Sequence, residues 1–316
     1  MISLAADIGG TYSRLAWSET GPHADVVEQT FDNSDFDTLE GVIDEGLKRY
    51  GSDHAIDNMV LAVPGPVHRD PVELTNINWS ISRASLKAHY ATERLTIVND
   101  FQAAAMGAIS ASPDDMTTLN SGSHARGPLV VTGAGTGLGM AWFADSEAPG
   151  LPRATEGGHI DFAPNAAKEV EFYRWLAAQF GHVSYERILS GSGLQNTYRF
   201  VSGDEGADES PAQIVALAKQ NDSAATQSIT TFVRIFAAYA GNLALAFNPT
   251  GGIYLCGGLT AHLAKWFTPA IFVDALTAKG RMADVVRRIP IYLVTRPDTG
   301  LAGARRIAQE IYRADT

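Results

Sequence analysis

Asp7-Ile8-Gly9-Gly10-Thr11 lies between two apolar runs, Ile2 to Ala6 and Ser13 to Ser18. A short apolar run on each side of a glycine pair predicts two strands joined by a tight turn. Glycine lets backbone N–H groups approach a polyanion with no Cβ in the way, and the flanking Asp and Thr add a carboxylate and a hydroxyl. An ordinary hairpin would look the same, so this pentapeptide alone decides nothing. The deciding feature is a second glycine loop far along the chain, Gly133-Ala134-Gly135-Thr136-Gly137-Leu138-Gly139, again after an apolar run, Leu129 to Thr132. Two such loops from separate segments suggest a polyphosphate held from two sides. Between them, Asn99-Asp100 follows the run Leu95 to Val98, at the strand end where α/β folds place reactive groups. The pattern reads as phosphoryl transfer with Asp100 as general base.

Working outward, strand and helix signals alternate. Phe36, Leu39, Ile43, Leu47 and Tyr50 recur at helical spacing before Gly51, a candidate C-cap. Met59 to Val63 reads as a strand, Ser82 to Tyr90 as a short helix, Leu95 to Asn99 as a strand and Phe101 to Ile109 as an alanine-rich helix. The polar stretch Ser110 to Arg126 reads as a boundary. Beyond it come strands at Leu129 to Thr132 and Gly139 to Phe143. Helices follow at Ala167 to Phe180, Gly191 to Val201, Pro211 to Lys219 and Ala224 to Ala246. Strands at Ile253 to Cys256 and Ile289 to Val294 precede a closing helix, Gly300 to Tyr312, and the small acidic segment Gly203 to Ser210 reads as a mobile loop. Alternation of this kind gives α/β layers. No internal repeat is visible in residue identity, although each half opens with a glycine turn between strands.

Composition narrows the function. The 316 residues are 45% hydrophobic and 19% charged, with Lys+Arg 24 against Asp+Glu 35 and a net charge of −11. No basic block is present, which argues against nucleic acid or an anionic membrane as partner. A bound phosphate must then be held by backbone amides and metal. The single cysteine, Cys256, excludes an intramolecular disulfide and a multi-cysteine zinc site, and its apolar setting reads as a buried thiol. Asp7 interrupts the only N-terminal apolar segment, and the run Ile235 to Phe247 is too short to span a bilayer, so a cytoplasmic protein is expected.

The second glycine loop fails the dinucleotide fingerprint, which needs glycine where Leu138 stands, and it opens a strand rather than a helix. It also lacks the lysine of a Walker loop. A third turn, Gly257-Gly258, follows the strand ending at Cys256 and can face a nucleotide. Asn76, Asn78 and Trp79, the stretch Glu156-Gly157-Gly158-His159, and Glu186 supply polar groups suited to a polyol.

Taken together, Asp7 to Thr11, Ile97 to Phe101, Gly133 to Gly139, Glu156 to His159, Glu186 to Gly191 and Gly257-Gly258 make the chain resemble the bacterial glucokinase family of the hexokinase–actin–Hsp70 superfamily, over essentially its whole length. The resemblance is to the zinc-free branch, since the cysteine motif of the related repressor–kinases is missing. It implies a two-domain actin-like ATPase (ribonuclease H-like) fold of class α/β, with a cleft between a small domain, residues 1–109 plus 299–316, and a large one, residues 110–298. It implies transfer from ATP, with Mg²⁺, to the 6-hydroxyl of glucose. Asp100 would be the base, with Asn76, Asn99, Glu156, His159 and Glu186 on the sugar. Ala6, Asp7, Ile8, Gly9, Gly10, Thr11, Gly133, Gly135, Thr136 and Gly137 would hold the phosphates, Gly257 and Gly258 would lie near the adenosine, and Asp7 would meet Mg²⁺ directly or through water. A cytoplasmic homodimer is also implied. Two other readings remain at this point: a hexokinase preferring mannose, fructose or an N-acetyl hexosamine, and a sugar-sensing regulator on the same fold.

Overall fold

The computed structural model describes residues 2–19, 25–51 and 56–314, with side chains to residue 311; the expected domain ends at 1, 315 and 316 lie outside the described residues. The chain forms two compact units, Met1–Ser110 with Asp298–Thr316, and Ala111–Pro297.

In the first unit, β1 (Ile2–Ile8), β2 (Tyr12–Glu19) and β3 (Val26–Asp32) run as an antiparallel meander. The chain continues through α1 (Leu39–Tyr50), β4 (Ile56–Val63), the short pair β5 (Val72–Glu73) and β6 (Ser80–Ile81), α2 (Arg83–His89), β7 (Arg94–Asn99) and α3 (Asp100–Ile109). The sheet order is β3-β2-β1-β4-β7, with β4 and β7 parallel to β1. Helix α1 starts where the Thr38 hydroxyl accepts from the Gly41 N–H, and it stops at Gly51, whose φ of 80° suits glycine. Leu39, Val42 and Ile43 belong to one apolar cluster with Leu4, Ala6, Ile8 and Trp17. Burying such a cluster drives this layer together, at roughly 25 cal/mol per Å² of apolar surface.

Strand residues alternate between faces, so Ser3, Ala5 and Asp7 point away from that cluster. The residues there are small. The C-terminal helix, Thr299–Ala314, packs on α3, β1 and β4. Asn58, paired with Ser3, donates to the Ala308 carbonyl at 3.3 Å. The two helices touch through small residues at a spacing of one turn: a Cβ at Gly303 would strike the Ala103 carbonyl oxygen, and one at Gly107 would strike that of Thr299.

The second unit begins with β8 (Met116–Asn120), then β9 (Leu129–Ala134), β10 (Leu138–Phe143) and β11 (Arg153–Thr155). Helices α4 (Ala167–Phe180), α5 (Gly191–Ser202), α6 (Pro211–Lys219) and α7 (Ser223–Phe247) lead to β12 (Ile253–Cys256). The chain continues through α8 (Gly258–His262), α9 (Pro269–Leu276), α10 (Ala283–Arg287) and β13 (Ile291–Val294). The sheet order is β11-β10-β9-β12-β13-β8, with β12 and β13 parallel to β9. An antiparallel meander followed by parallel strands is the plan of the first unit as well.

Besides short elements that the sequence reading did not assign, among them β3, three features differ from it. The polar stretch after Ser110 holds strand β8, which pairs antiparallel with β13. The segment from Gly203 to Ser210 is tied down: Arg199 Nε donates to the Ala207 carbonyl at 2.6 Å, and Gln195 Nε2 to that of Glu209 at 3.0 Å. Finally, the apolar run Ile235 to Phe247 is part of a 25-residue helix, long and apolar enough to cross a bilayer, but 67% of its most apolar window is buried within the protein. Helix α7 is the core of the second unit, where Phe232, Phe236, Tyr239 and Leu243 are buried.

Candidate active site

In the first unit, β1, β4 and β7 are parallel, so their C-terminal ends lie along one edge of the sheet. Asp7 stands at the end of β1, and Asp100 follows β7 as the first residue of α3. The side chain of Asp7 is 18% exposed and faces Arg14, its cross-strand neighbour, at 3.6 Å. Its carboxyl also lies against Gly300 in the first turn of the C-terminal helix, close enough that a Cβ there would come within 2.5 Å of Oδ2. Burial pushes the Asp7 carboxyl up to about 6; the Arg14 charge opposes this, and the negative charge of Asp100 adds to it.

The sign of the resulting stability effect follows directly. A folded-state pKa above the ordinary 3.8 means that the folded protein holds this proton more tightly than the unfolded chain. Stability from Asp7 is therefore full below pH 4 and is lost as pH rises towards 6, by about 2–3 kcal/mol. Asp7→Asn should lack that slope. The unfolding free energy of the variant relative to wild type is expected to rise by about 2 kcal/mol between pH 4 and pH 7, measured by urea denaturation.

The glycine turn after Ile8 is held by contacts that local sequence does not announce. Gly9 N–H donates to the Tyr12 carbonyl at 2.9 Å, and Asn33 Nδ2 donates to the Gly9 carbonyl at 2.8 Å. Ser13 Oγ in turn donates to Asn33 Oδ1 at 2.7 Å, so this buried amide is fixed from both ends. Gly10 lies on Asn76, whose Cβ would be 2.9 Å from a Cβ at position 10. Thr11 and Asn76 are both exposed.

Asn99, rather than Asp100, caps α3. Its Oδ1 accepts from the Phe101 N–H at 3.0 Å, and Gln102 Oε1 accepts from the Asn99 N–H at 3.1 Å, a reciprocal capping box. Asn99 Oδ1 is thus engaged in the cap. Asp100 Oδ1 accepts from the Phe101 N–H at 2.8 Å.

In the second unit, the loop between β9 and β10 closes by a Gly135 N–H to Gly137 carbonyl bond of 2.9 Å, and Gly191 N–H at the start of α5 donates to the Gly135 carbonyl at 2.9 Å. The third glycine turn adjoins this loop at the C-terminal edge of β9 and β12: a Cβ at Gly257, whose φ is 99°, would meet the Ala134 carbonyl oxygen at 2.5 Å. At Gly133 a Cβ would meet the Cys256 carbonyl at the same distance of 2.5 Å. Cys256 is buried, and burial pushes its thiol up to about 12. Gly258 opens α8, with nothing within 4 Å of a Cβ built there.

Glu156, His159 and Glu186, distant in sequence, come together on two neighbouring three-ten turns, Gly157–His159 and Tyr185–Arg187. His159 Nδ1 is 3.7 Å from Glu186 Oε1, and Nε2 is 3.9 Å from Glu156 Oε2. Gly157 and Gly158 are there for close approach, since a Cβ would strike Met140 Sδ or the Leu138 carbonyl. Glu186 also acts on the glycine loop: Leu138 N–H donates to its Oε2 at 2.9 Å. One carboxylate thus joins the polar cluster to the loop. Asn33, Gly300 and the loop contact of Glu186 escaped the sequence reading.

Asp7 and Asp100 are hard oxygen donors that feel each other's charge, the donor type that Mg²⁺ takes together with water and phosphate oxygens, although no group of three or more His, Cys, Asp or Glu among the described residues forms a ready-made metal cage.

The sequence model of the Glucokinase family matches residues 4–311. The chain is 36% identical to a glucokinase of Erwinia tasmaniensis over 307 residues, covering 96% of this chain and 95% of that one. It is 34% identical to a glucokinase of Hahella chejuensis over 310 residues, with 96% and 95% covered. Among solved structures, the glucokinase of an Antarctic psychrotroph superposes with a TM-score of 0.86 at 27% identity, over 98% of this chain and 99% of that chain. The architecture is the actin-like ATPase fold, and the chain belongs to the glucokinase family.

Proposed function

We propose that this protein transfers the γ-phosphoryl group of ATP to the 6-hydroxyl of D-glucose in the presence of Mg²⁺, and that Asp100 is the base. The observation that supports this best is the placement of Asp7 and Asp100 at one strand-end edge beside a braced glycine turn. Phosphoryl transfer is mainly positioning and charge neutralisation, with a carboxylate to receive the hydroxyl proton. In this reading, Asp100 takes the proton of the 6-hydroxyl as transfer proceeds. Asn76, Asn99, Glu156, His159 and Glu186 bind the sugar. The N–H groups of Ala6 to Thr11 and of Gly133 to Gly137 hold the phosphates, with hydroxyls of Thr11 and Thr136 beside them. Gly257 and Gly258 lie against the adenosine. Asp7 holds Mg²⁺, directly or through water; when bound, the ion neutralises the charge of the phosphates. The protein acts in the cytoplasm as a homodimer, at the first step of glycolysis.

The test is release of ADP from ATP and Mg²⁺ with a panel of hexoses. Glucose is expected to give the highest kcat/KM; a higher value for mannose, fructose or an N-acetyl hexosamine would reassign the substrate. Glu156, whose side chain is 92% exposed, separates binding from folding. Glu156→Ala is expected to raise the glucose KM by an amount equivalent to about 1–3 kcal/mol and leave the ATP KM unchanged. Equal losses for both substrates would place Glu156 outside the sugar site.

A further inference from the structure

Tyr239 is completely buried on α7, and a buried hydroxyl is costly unless it is bonded. Phenylalanine would fill the same space. The hydroxyl donates to the Gly157 carbonyl at 2.9 Å, in the turn that carries His159. One turn further along the same helix face, Asn242 stands among Ala240, Leu243 and Ala244. Its amide orientation follows from its neighbours. Lys279 Nζ can only donate, and it lies 2.6 Å from Oδ1; Nδ2 therefore faces the Tyr185 hydroxyl oxygen, to which it donates at 2.7 Å. Tyr185 is the first residue of the turn that carries Glu186. The rings of Tyr185 and Tyr239 meet with centroids 4.6 Å apart, so the two tethers also brace each other.

We infer that Tyr239 and Asn242 are positioning residues for the sugar, suspending the His159 turn and the Glu186 turn from adjacent points on α7. Three-ten turns are poorly held by their own hydrogen bonds, so their register depends on outside partners. From the other side, β10 limits each glycine of the Gly157–His159 turn by close contact. With both turns fixed to one rigid helix, the imidazole and the two carboxylates keep the spacing that distinguishes one pattern of hydroxyls from another. Lys279 contributes by fixing which end of the Asn242 amide faces Tyr185.

This inference rests on assigning the two turns to the sugar, and the experiment separates the two claims. Tyr239→Phe, Asn242→Leu and Glu156→Ala are compared in steady-state assays with glucose and mannose, alongside thermal denaturation. Tyr239→Phe and Asn242→Leu are each expected to raise the glucose KM about three- to tenfold and to narrow the glucose-over-mannose ratio of kcat/KM, with the ATP KM unchanged. A merely structural role would lower the melting temperature without moving the sugar ratio, and that result overturns the inference. If Glu156→Ala raises the glucose KM while neither α7 variant does, the positioning role alone falls. If Glu156→Ala leaves the glucose KM unchanged, the sugar assignment falls and the positioning role falls with it. Should Asn242→Leu fail to fold, Tyr239→Phe, which keeps the ring, decides the matter.

Discussion

Replacing Asp100 by Asn is expected to lower kcat by at least ~10²-fold while the melting temperature stays within a few degrees of wild type. A carboxylate at the first position of a helix has two plausible duties, helix stabilisation and proton transfer, and the substitution separates them. The capping duty belongs to Asn99 and Gln102, whose reciprocal bonds do not involve Asp100. At the start of α3, Asp100 accepts from the Phe101 N–H at 2.8 Å and places a favourable charge there, worth about 0.3–1 kcal/mol. An amide oxygen keeps the first of these. It cannot take the proton of the attacking hydroxyl, so the loss should appear in kcat rather than in either KM. A second readout is independent of turnover: with the Asp100 charge gone, the Asp7 carboxyl should titrate below its present value of about 6. Near-native kcat in the Asn variant would remove Asp100 from the chemistry.

Gly303→Ala is expected to be among the most damaging single-methyl changes in the first unit. The added Cβ would strike the Ala103 carbonyl, a backbone atom fixed within α3, so no side-chain rotation can relieve it. The helices must separate, and α3, β1 and β4 lose part of their cover. Overpacking of this type costs about 3 kcal/mol. With ~2–4 °C per kcal/mol for a domain of this size, the melting temperature should fall by roughly 6–12 °C. Gly51→Ala is a useful comparison, because nothing lies within 4 Å of a Cβ there and only its φ of 80° opposes the change. A fall no larger for Gly303→Ala than for Gly51→Ala would mean that the helix contact is looser than its geometry indicates.

The elements legible in the sequence are those with a strong local signal. The β1 turn, α1 with its Gly51 cap, α3 and α7 all follow from apolar spacing and cap residues. Strand β8 was hidden because Leu119 is its one fully buried residue, while Thr117 and Thr118 are exposed, so an edge strand reads as a polar linker. Strand β3 was missed for the same reason, with Val26, Val27 and Glu28 exposed. At the site, the glycine loops and acidic groups announced themselves by type. Their braces did not: Asn33 acts on Gly9 and Gly300 on Asp7 across long stretches of chain. Asp100 and Asn99 could each cap α3 on local grounds, and only geometry distinguishes them.

The C-terminal helix also sets an order of events during synthesis. Strands β1 and β4 leave the ribosome early, but the helix that covers them follows residues 111–297, which form the whole of the second unit. At ~5–20 residues per second, the interval is roughly 10–40 s. During that time the face carrying Ser3, Ala5 and Asp7 lacks its covering helix, and by its end the contiguous second unit has all its residues, before that helix is made. The nascent chain therefore completes its units in reverse order of their first residues. The strand that carries Asp7 waits longest for native surroundings, and chaperones that survey emerging chains would meet it uncovered.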